Sequence, residues 1–335
     1  MPPRTGSEAR GQAGAKSERK REEKVAGKTK KHTGLVALIA VILFAAVVTG
    51  GILIGTDRFP SLESLFRSPK ESGSVVNNSD LTLSVIDVGQ GDSILLTAGG
   101  KAVLVDAGPA ASSQAVLDYL DANGVRKLDW VVATHAHEDH IGGMPAIFEK
   151  YEVENVLMTR VKGSATPTTR TYANLLSSIV DSGAKVTTAK AGNRFDAGEM
   201  HFEILGPVKA YDDLNNSSIV LRVTFGNQSF LLTGDMEREA EQELLDSGVS
   251  LSANVLKVAH HGSSTSTSEK FLEAVYPSYA VISAGTDNSY GHPHKETVER
   301  LQGSGAALLR TDEKGTVIFS TDGKELEIFS SGGAK

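Results

Sequence analysis

The eleven residues Thr134-His135-Ala136-His137-Glu138-Asp139-His140-Ile141-Gly142-Gly143-Met144 constrain this chain more than any other stretch. Three of its nine histidines, together with the carboxylate of Asp139, fall within six positions, a density that core packing does not require and metal binding does. Imidazole suits zinc and its first-row neighbours, and a carboxylate beside it lets the site hold a hard, water-bearing ion. The run follows Leu128–Ala133, an apolar stretch that reads as a buried strand, and precedes a Gly-Gly turn into a helix. The ligands therefore belong in a loop beyond a strand's carboxyl end, where binding sites of sheet-and-helix folds lie. In extended backbone His135 and His137 point the same way and can pinch one ion; Asp139 and His140 lie past the bend, free to reach a second.

Five other segments accompany the cluster in order: Ser84-Val-Ile-Asp-Val-Gly-Gln-Gly-Asp-Ser-Ile-Leu-Leu96, Val103-Leu-Val-Asp-Ala-Gly108, Leu231-Leu-Thr-Gly-Asp235, Val258-Ala-His-His-Gly-Ser263 and Asn288-Ser-Tyr-Gly-His-Pro293. With His-x-His-x-Asp-His after a strand, they resemble the metallo-β-lactamase superfamily, and within it the hydrolase-like domain of the ComEC-type DNA-uptake competence proteins. The likeness runs from about residue 80 to 330. It implies an α/β (α+β) fold, the four-layer αββα sandwich with a metal site along one edge, here preceded by one N-terminal transmembrane helix.

The periodicities agree with two mixed halves. Leu81–Val88, Ser93–Thr97 and Lys101–Asp106 read as strands and Gln114–Ala122 as a helix; Pro145–Lys150 and Thr171–Ser182 have helical spacing. A second strand-rich half reads Phe202–Leu205, Ile219–Thr224 and Ser229–Thr233, then helix Glu237–Leu245, strand Val255–Ala259, helix Glu269–Val275, strand Tyr279–Ser283 and helix Lys295–Leu301.

Ahead of this domain the composition changes. Residues 1–33 hold ten Lys and Arg against four Glu, a balance of +6 that leaves −13 on the rest of a chain whose formal net charge is −7. Without apolar periodicity this arm is expected to be disordered. Leu35–Gly55 then carries no charge, and as a helix it would span about 31 Å, the thickness of a bilayer's hydrocarbon core. It lacks a small-x-small cleavage site, so residues 34–56 are expected to form an uncleaved transmembrane signal anchor. The flank of Lys28, Lys30 and Lys31 places the arm in the cytoplasm, against anionic lipid, and the hydrolase domain at 80–330 outside a single-pass cell membrane protein. Residues 57–79, with Pro60 and Pro69, read as a tether. There is no cysteine, so disulfides and thiolate ligands are excluded and any metal is held by nitrogen and oxygen.

The resemblance implies two divalent metal ions, zinc or manganese, held by His135, His137, Asp139, His140, Asp235, His260, His261 and His292. In the superfamily the residue at Asp235 commonly bridges two metals, although an aspartate there could simply cap the following helix. The late histidine, here His292, usually completes the second metal's shell. Of His260 and His261 one is expected to ligate or to protonate a leaving group, the sequence leaving open which; Asp139, His260 and His261 are the catalytic candidates. The chain also departs from the family pattern. Where typical members carry a histidine in a Gly-His-Thr-like turn, it has Asn215-Asn216-Ser217-Ser218, and His201, the one histidine between 140 and 235, reads as structural. An amide oxygen, a histidine of the 260/261 pair, or water would have to complete that metal.

A hydroxide generated on two bound cations would attack a phosphoryl or acyl centre. The expected function is a membrane-anchored, extracytoplasmic, metal-dependent phosphodiesterase of nuclease type, with DNA as a candidate substrate. The −13 balance opposes long polyanions, which need Lys and Arg to displace counterions. The alternatives are hydrolysis of a cell-envelope ester or phosphoester, and a non-catalytic surface binding domain.

Overall fold

The computed structural model describes residues 80–159, 161 and 163–332. The basic arm, the apolar run and the tether expected over 1–79 lie outside the described residues. Among the described residues no helix is long and apolar enough to cross a membrane.

The first sheet is assembled from β1 (Leu81–Val85), β2 (Ile94–Ala98), β3 (Lys101–Val105), β4 (Lys127–Ala133), β5 (Glu152–Met158), β6 (Lys185–Thr188), β14 (Val317–Thr321) and β15 (Leu326–Ser330), in the order β15-β14-β1-β2-β3-β4-β5-β6. The second takes β7 (Arg194–Ala197), β8 (Met200–Gly206), β9 (Val220–Phe225), β10 (Gln228–Leu232), β11 (Val255–Lys257), β12 (Tyr279–Ile282) and β13 (Ala307–Arg310), in the order β13-β12-β11-β10-β9-β8-β7. Each sheet joins an antiparallel part to a parallel one: β3 to β6 run parallel in the first, β10 to β13 in the second.

Alternation along the strands makes the layers. Val103 and Val105 of β3 point into the core between the sheets, where Phe230 and Leu232 of β10 meet them. Their neighbours Ala102 and Leu104 face the opposite way, under Val116 and Leu120 of α1 (Ser113–Ala122), Ile147 of α3 (Met144–Lys150) and Leu175 of α4 (Arg170–Ser182). Leu231 likewise turns outward, toward Leu244 of α5 (Arg238–Asp246), Phe271 of α6 (Glu269–Val275) and Leu301 of α7 (Lys295–Gly303). A period of two with both phases apolar buries a sheet on both faces, which yields helix, sheet, sheet, helix. Helix ends follow local chemistry: Thr169 Oγ1 accepts from Tyr172 N–H to start α4, and Gly183 ends it in the left-handed region. Such a cap is worth about 1 kcal/mol.

The observed strands and helices match the expected ones to within a few residues in most cases. The largest boundary change is at Leu81–Val88, where the strand stops at Val85; at Val255–Ala259 it stops at Lys257, and Ala259–Gly262 turns as a short 3₁₀ segment. The halves are also not sequential: β14 and β15, from the end of the chain, complete the first sheet through β1–β14 pairing.

Candidate metal centre

Every segment that carries a candidate ligand leaves the carboxyl end of a strand. β4 delivers Thr134 to His140, the last of these in the short helix α2 (Glu138–Ile141). β10 delivers Asp235, β11 delivers His260 and His261, and β12 leads to the loop holding His292. The two sheets are stitched at this edge by Ile219 N–H donating to the Thr134 carbonyl at 3.0 Å.

Three imidazoles are oriented the same way, with the outer nitrogen hydrogen-bonded and the inner one turned to carboxylates. His140 Nδ1 lies 2.7 Å from Asp106 Oδ2, and its buried Nε2 faces Asp235 Oδ2 at 3.2 Å without making a hydrogen bond. His261 Nδ1 donates to the Ser283 carbonyl at 2.9 Å, which leaves Nε2 3.2 Å from Asp139 Oδ2 and 3.5 Å from Asp235 Oδ2. His135 Nδ1 approaches Thr134 Oγ1 and Ser218 Oγ at 3.2 and 3.3 Å, while Nε2 lies 3.7 Å from Asp235 Oδ2 and 2.9 Å from His137 Nδ1. Fixing one ring nitrogen in this manner sets the tautomer that presents a lone pair at the other, as metal-binding histidines require.

Two sets of donor atoms result, each within 4.8 Å of one another: Asp139, His140, Asp235 and His261 in one, His135, His137 and Asp235 in the other. Asp235 belongs to both, and its Oδ1 is buried without a hydrogen-bond partner. Orphaned, buried donors of nitrogen and oxygen fit a divalent ion, since leaving them unmet costs desolvation energy that coordination recovers. A third set, Asp92, Asp106 and His140, also converges. Both oxygens of Asp106 are engaged by Thr134 and His140, and Asp92 Oδ2 by Lys257, so this set buttresses the site; of its oxygens Asp92 Oδ1 lacks a hydrogen bond.

The electrostatics divide the histidines. Burial, reinforced by the nearby His140, drives His135 well below its ordinary pKa, and burial lowers His137, so both rings favour the neutral form that a ligand needs. Burial acts against protonation of His261 as well, but Asp235, Asp139 and Asp92 outweigh it and push the imidazole up to about 10. His140 is raised well above its usual range, against its burial, by Asp235 and Asp106. Asp139 is held down at about 2 by His261 and His140, which overcome the upward pull of burial. In the absence of a cation these imidazoliums balance the carboxylates.

The remaining expected residues take other positions. His292, expected to complete the shell of the second metal, lies outside both donor sets, in one of which His261 Nε2 stands beside Asp139 and Asp235. Asn288 anchors the His292 backbone farther out, and the ring lies 6.2 Å from that of His261. Burial and the facing histidines 260, 261 and 294 lower it to about 4. His260 is likewise outside the donor sets, its Nε2 3.9 Å from Asp235 Oδ2 and its Nδ1 3.1 Å from Glu237 Oε1. In the Asn-Asn-Ser-Ser segment, Asn216 Oδ1 is committed to the N–H groups of Glu237 and Ala240 at the start of α5. Ser218 is the residue against His135, and its Oγ accepts from Asp235 N–H at 3.1 Å. His201 is an exposed surface partner of Asp196 at 2.7 Å.

The sequence profile of the metallo-beta-lactamase superfamily matches residues 86–286. The chain belongs to this superfamily of metal-dependent hydrolases. It is 33% identical over 260 residues to ComE operon protein 3 of Bacillus subtilis, covering 72% of this chain and 33% of that protein. It is 36% identical over 248 residues to competence protein ComA of Neisseria gonorrhoeae, covering 73% and 33%. The chain thus spans about a third of the length of these curated relatives. In fold it is similar to the CmlA beta-hydroxylase E377D mutant, with a TM-score of 0.51 at 12% identity over 72% of this chain and 54% of that one.

Sequence reasoning missed the residues behind the superfamily's ligand positions. Asp106, left-handed at φ 58°, accepts from Thr134 N–H and Oγ1 and from His140. Asp92 receives the buried Lys257 ammonium at 2.8 Å and lies 3.4 Å from His261 Nδ1. The signal for the latter pair was present: Lys257 is a lone charge in an apolar strand, and a buried lysine demands a partner.

Proposed function

We propose that the chain is a metal-dependent phosphodiesterase of nuclease type, carried outside the membrane by the apolar run at 34–56. The observation that carries this reading is the sharing of Asp235 by two donor sets, which supports a pair of ions that would act together on one phosphoryl group. His135, His137 and Asp235 would hold one ion; Asp139, His140, Asp235 and His261 would hold the other. When bound, such a pair supplies an activated water at neutral pH and charge that polarises the phosphoryl oxygen.

The chain's own residues do the rest. Asp139 has its Oδ2 against His261 and is partly open to solvent, so it can orient an incoming water. His260 is the proton donor to the leaving oxygen: it is partly exposed and aligned by Glu237, as general acids are aligned by a carboxylate. Asp106 and the Ser283 carbonyl keep His140 and His261 from rotating. The competence-protein relatives support a polynucleotide substrate. The −13 balance outside the arm favours short or single-stranded ones, since few cations are available to neutralise a long duplex.

The test is incubation of the full-length protein with single-stranded DNA and with a bis-aryl phosphate, manganese and zinc being supplied separately. Turnover that vanishes in Asp235→Asn is the expected result. No turnover of either substrate with either metal overturns the reading.

A further inference from the structure

Five large apolar side chains are exposed among the described residues, and Tyr290 is the one in ring contact with the histidine cluster. It is 66% exposed, yet its ring stacks on His292 with centroids 5.7 Å apart and planes within 20°. His292 stands edge-on to His260 at 5.3 Å and to His294 at 4.9 Å, and 6.2 Å from His261, a member of the four-residue donor set. The loop is pinned. Asn288 Oδ1 accepts from Tyr290 N–H at 3.2 Å and from His292 N–H at 3.0 Å, and its amide donates to the carbonyls of Gly285 and His292. His294 Nδ1 accepts from Ser264 N–H at 2.8 Å. A flat aromatic face is therefore fixed beside the donor set while its other side is left to solvent.

We propose that Tyr290, backed by His292, is a nucleobase-stacking platform at the rim of the metal centre, gripping a base of a single-stranded polynucleotide next to the phosphodiester being cleaved. This rests on the phosphodiesterase reading. Every base has a π face, so stacking holds single strands regardless of sequence. It also needs no positive charge, which suits a chain that carries −13 beyond its arm and is poorly equipped to bind through phosphates alone. A ring already ordered by stacking loses little freedom when a base docks, so most of the contact energy appears as affinity.

The experiment compares the binding of a labelled thymidine oligonucleotide and an abasic oligonucleotide of equal length to the full-length protein, by fluorescence anisotropy with metal withheld to prevent cleavage. Both carry the same phosphates, so attraction to the basic arm cancels. The parent is expected to favour the base-bearing strand about tenfold, in keeping with the energy of a single stacked base. Tyr290→Ala should reduce the preference below about twofold and Tyr290→Trp should keep it. Equal binding by the parent, or a preference that survives Tyr290→Ala, overturns the platform. Turnover of the bis-aryl phosphate is scored separately. Catalysis without base preference removes the platform alone; base preference without catalysis removes the hydrolytic reading and the platform's place beside a cleaved phosphodiester, leaving only base binding at Tyr290.

Discussion

Lys257 is 1% exposed, and its ammonium is satisfied by Asp92 at 2.8 Å and the Val258 carbonyl at 3.0 Å. Asp92 is held well below the usual carboxylate range because Lys257 and His261 overcome the upward pull of burial. Truncating one member of such a pair strands the other's charge in the interior, at a cost of about 3–5 kcal/mol. Lys257→Met should therefore lower Tm by roughly 6–20 °C. The double change with Asp92→Leu should recover most of that, because no charge is then left unmatched. Thermal melts of the three proteins decide, and a single variant that melts with the parent would refute the argument. In the sequence Lys257 is legible as a buried charge in need of a partner; which carboxylate meets it is not. The cluster from His135 to His140 could be read because its members are neighbours in the chain. Asp106 and His140 are 34 positions apart, and Asp139 and His261 are 122 apart, so the residues that aim the ligands emerge only from folding.

Among the elements, the loop between β1 and β2 is pressed directly against the loop that carries the ligands. A Cβ on Gly91 would lie 2.3 Å from the Asp139 carbonyl oxygen, and the residue sits at φ +143°, where side chains are rarely tolerated. The same loop donates Asp92 N–H to that oxygen at 3.1 Å, so it sets the height of the metal loop. Gly91→Ala should push Asp139 away, cost about 1–3 kcal/mol and weaken metal binding at least about tenfold. Gly89→Ala is the control: its φ of +74° is also strained, yet nothing lies within 4 Å, so metal binding should persist. Equal metal retention by titration calorimetry would show that the close approach does not set ligand position. The same scale explains which elements were legible. Long amphipathic helices and strands with mixed apolar runs were read within a few residues. β6 and β7 were not, because four mostly exposed residues at a sheet edge carry no alternation strong enough to detect. β5 follows α3 with one intervening residue, so no turn signal announces it. The β14–β15 hairpin, with Asp322-Gly323 at its turn, carries a readable signal beyond the last expected helix.

At the scale of the molecule, the donor sets join the two sheets: His135 to His140 come from the first, Asp235 and His261 from the second. An ion bound here clamps both halves and stabilises the native state by mass action, about 2.7 kcal/mol at a hundredfold excess over Kd. For a domain of this size that corresponds to a Tm increase of roughly 5–10 °C. The effect carries a pH dependence of definite sign. In the metal-free protein His261 titrates at about 10, against 6.5 for the free imidazole. A raised pKa contributes stability that is fully present below about 6.5 and is lost as pH climbs toward 10. Coordination requires the neutral ring, so below that range the ion must displace a proton, and above it the site is already prepared. The Tm increase produced by manganese or zinc should therefore grow steadily from pH 6 to 8.5, while the melting point in chelator falls. His261→Gln should make both trends shallower, the remainder coming from His140, whose pKa is also raised. Melts with metal and with chelator across this range provide the measurement; a metal-induced shift that is constant or shrinks with rising pH would mean that His261 is not protonated by its carboxylates in the empty site.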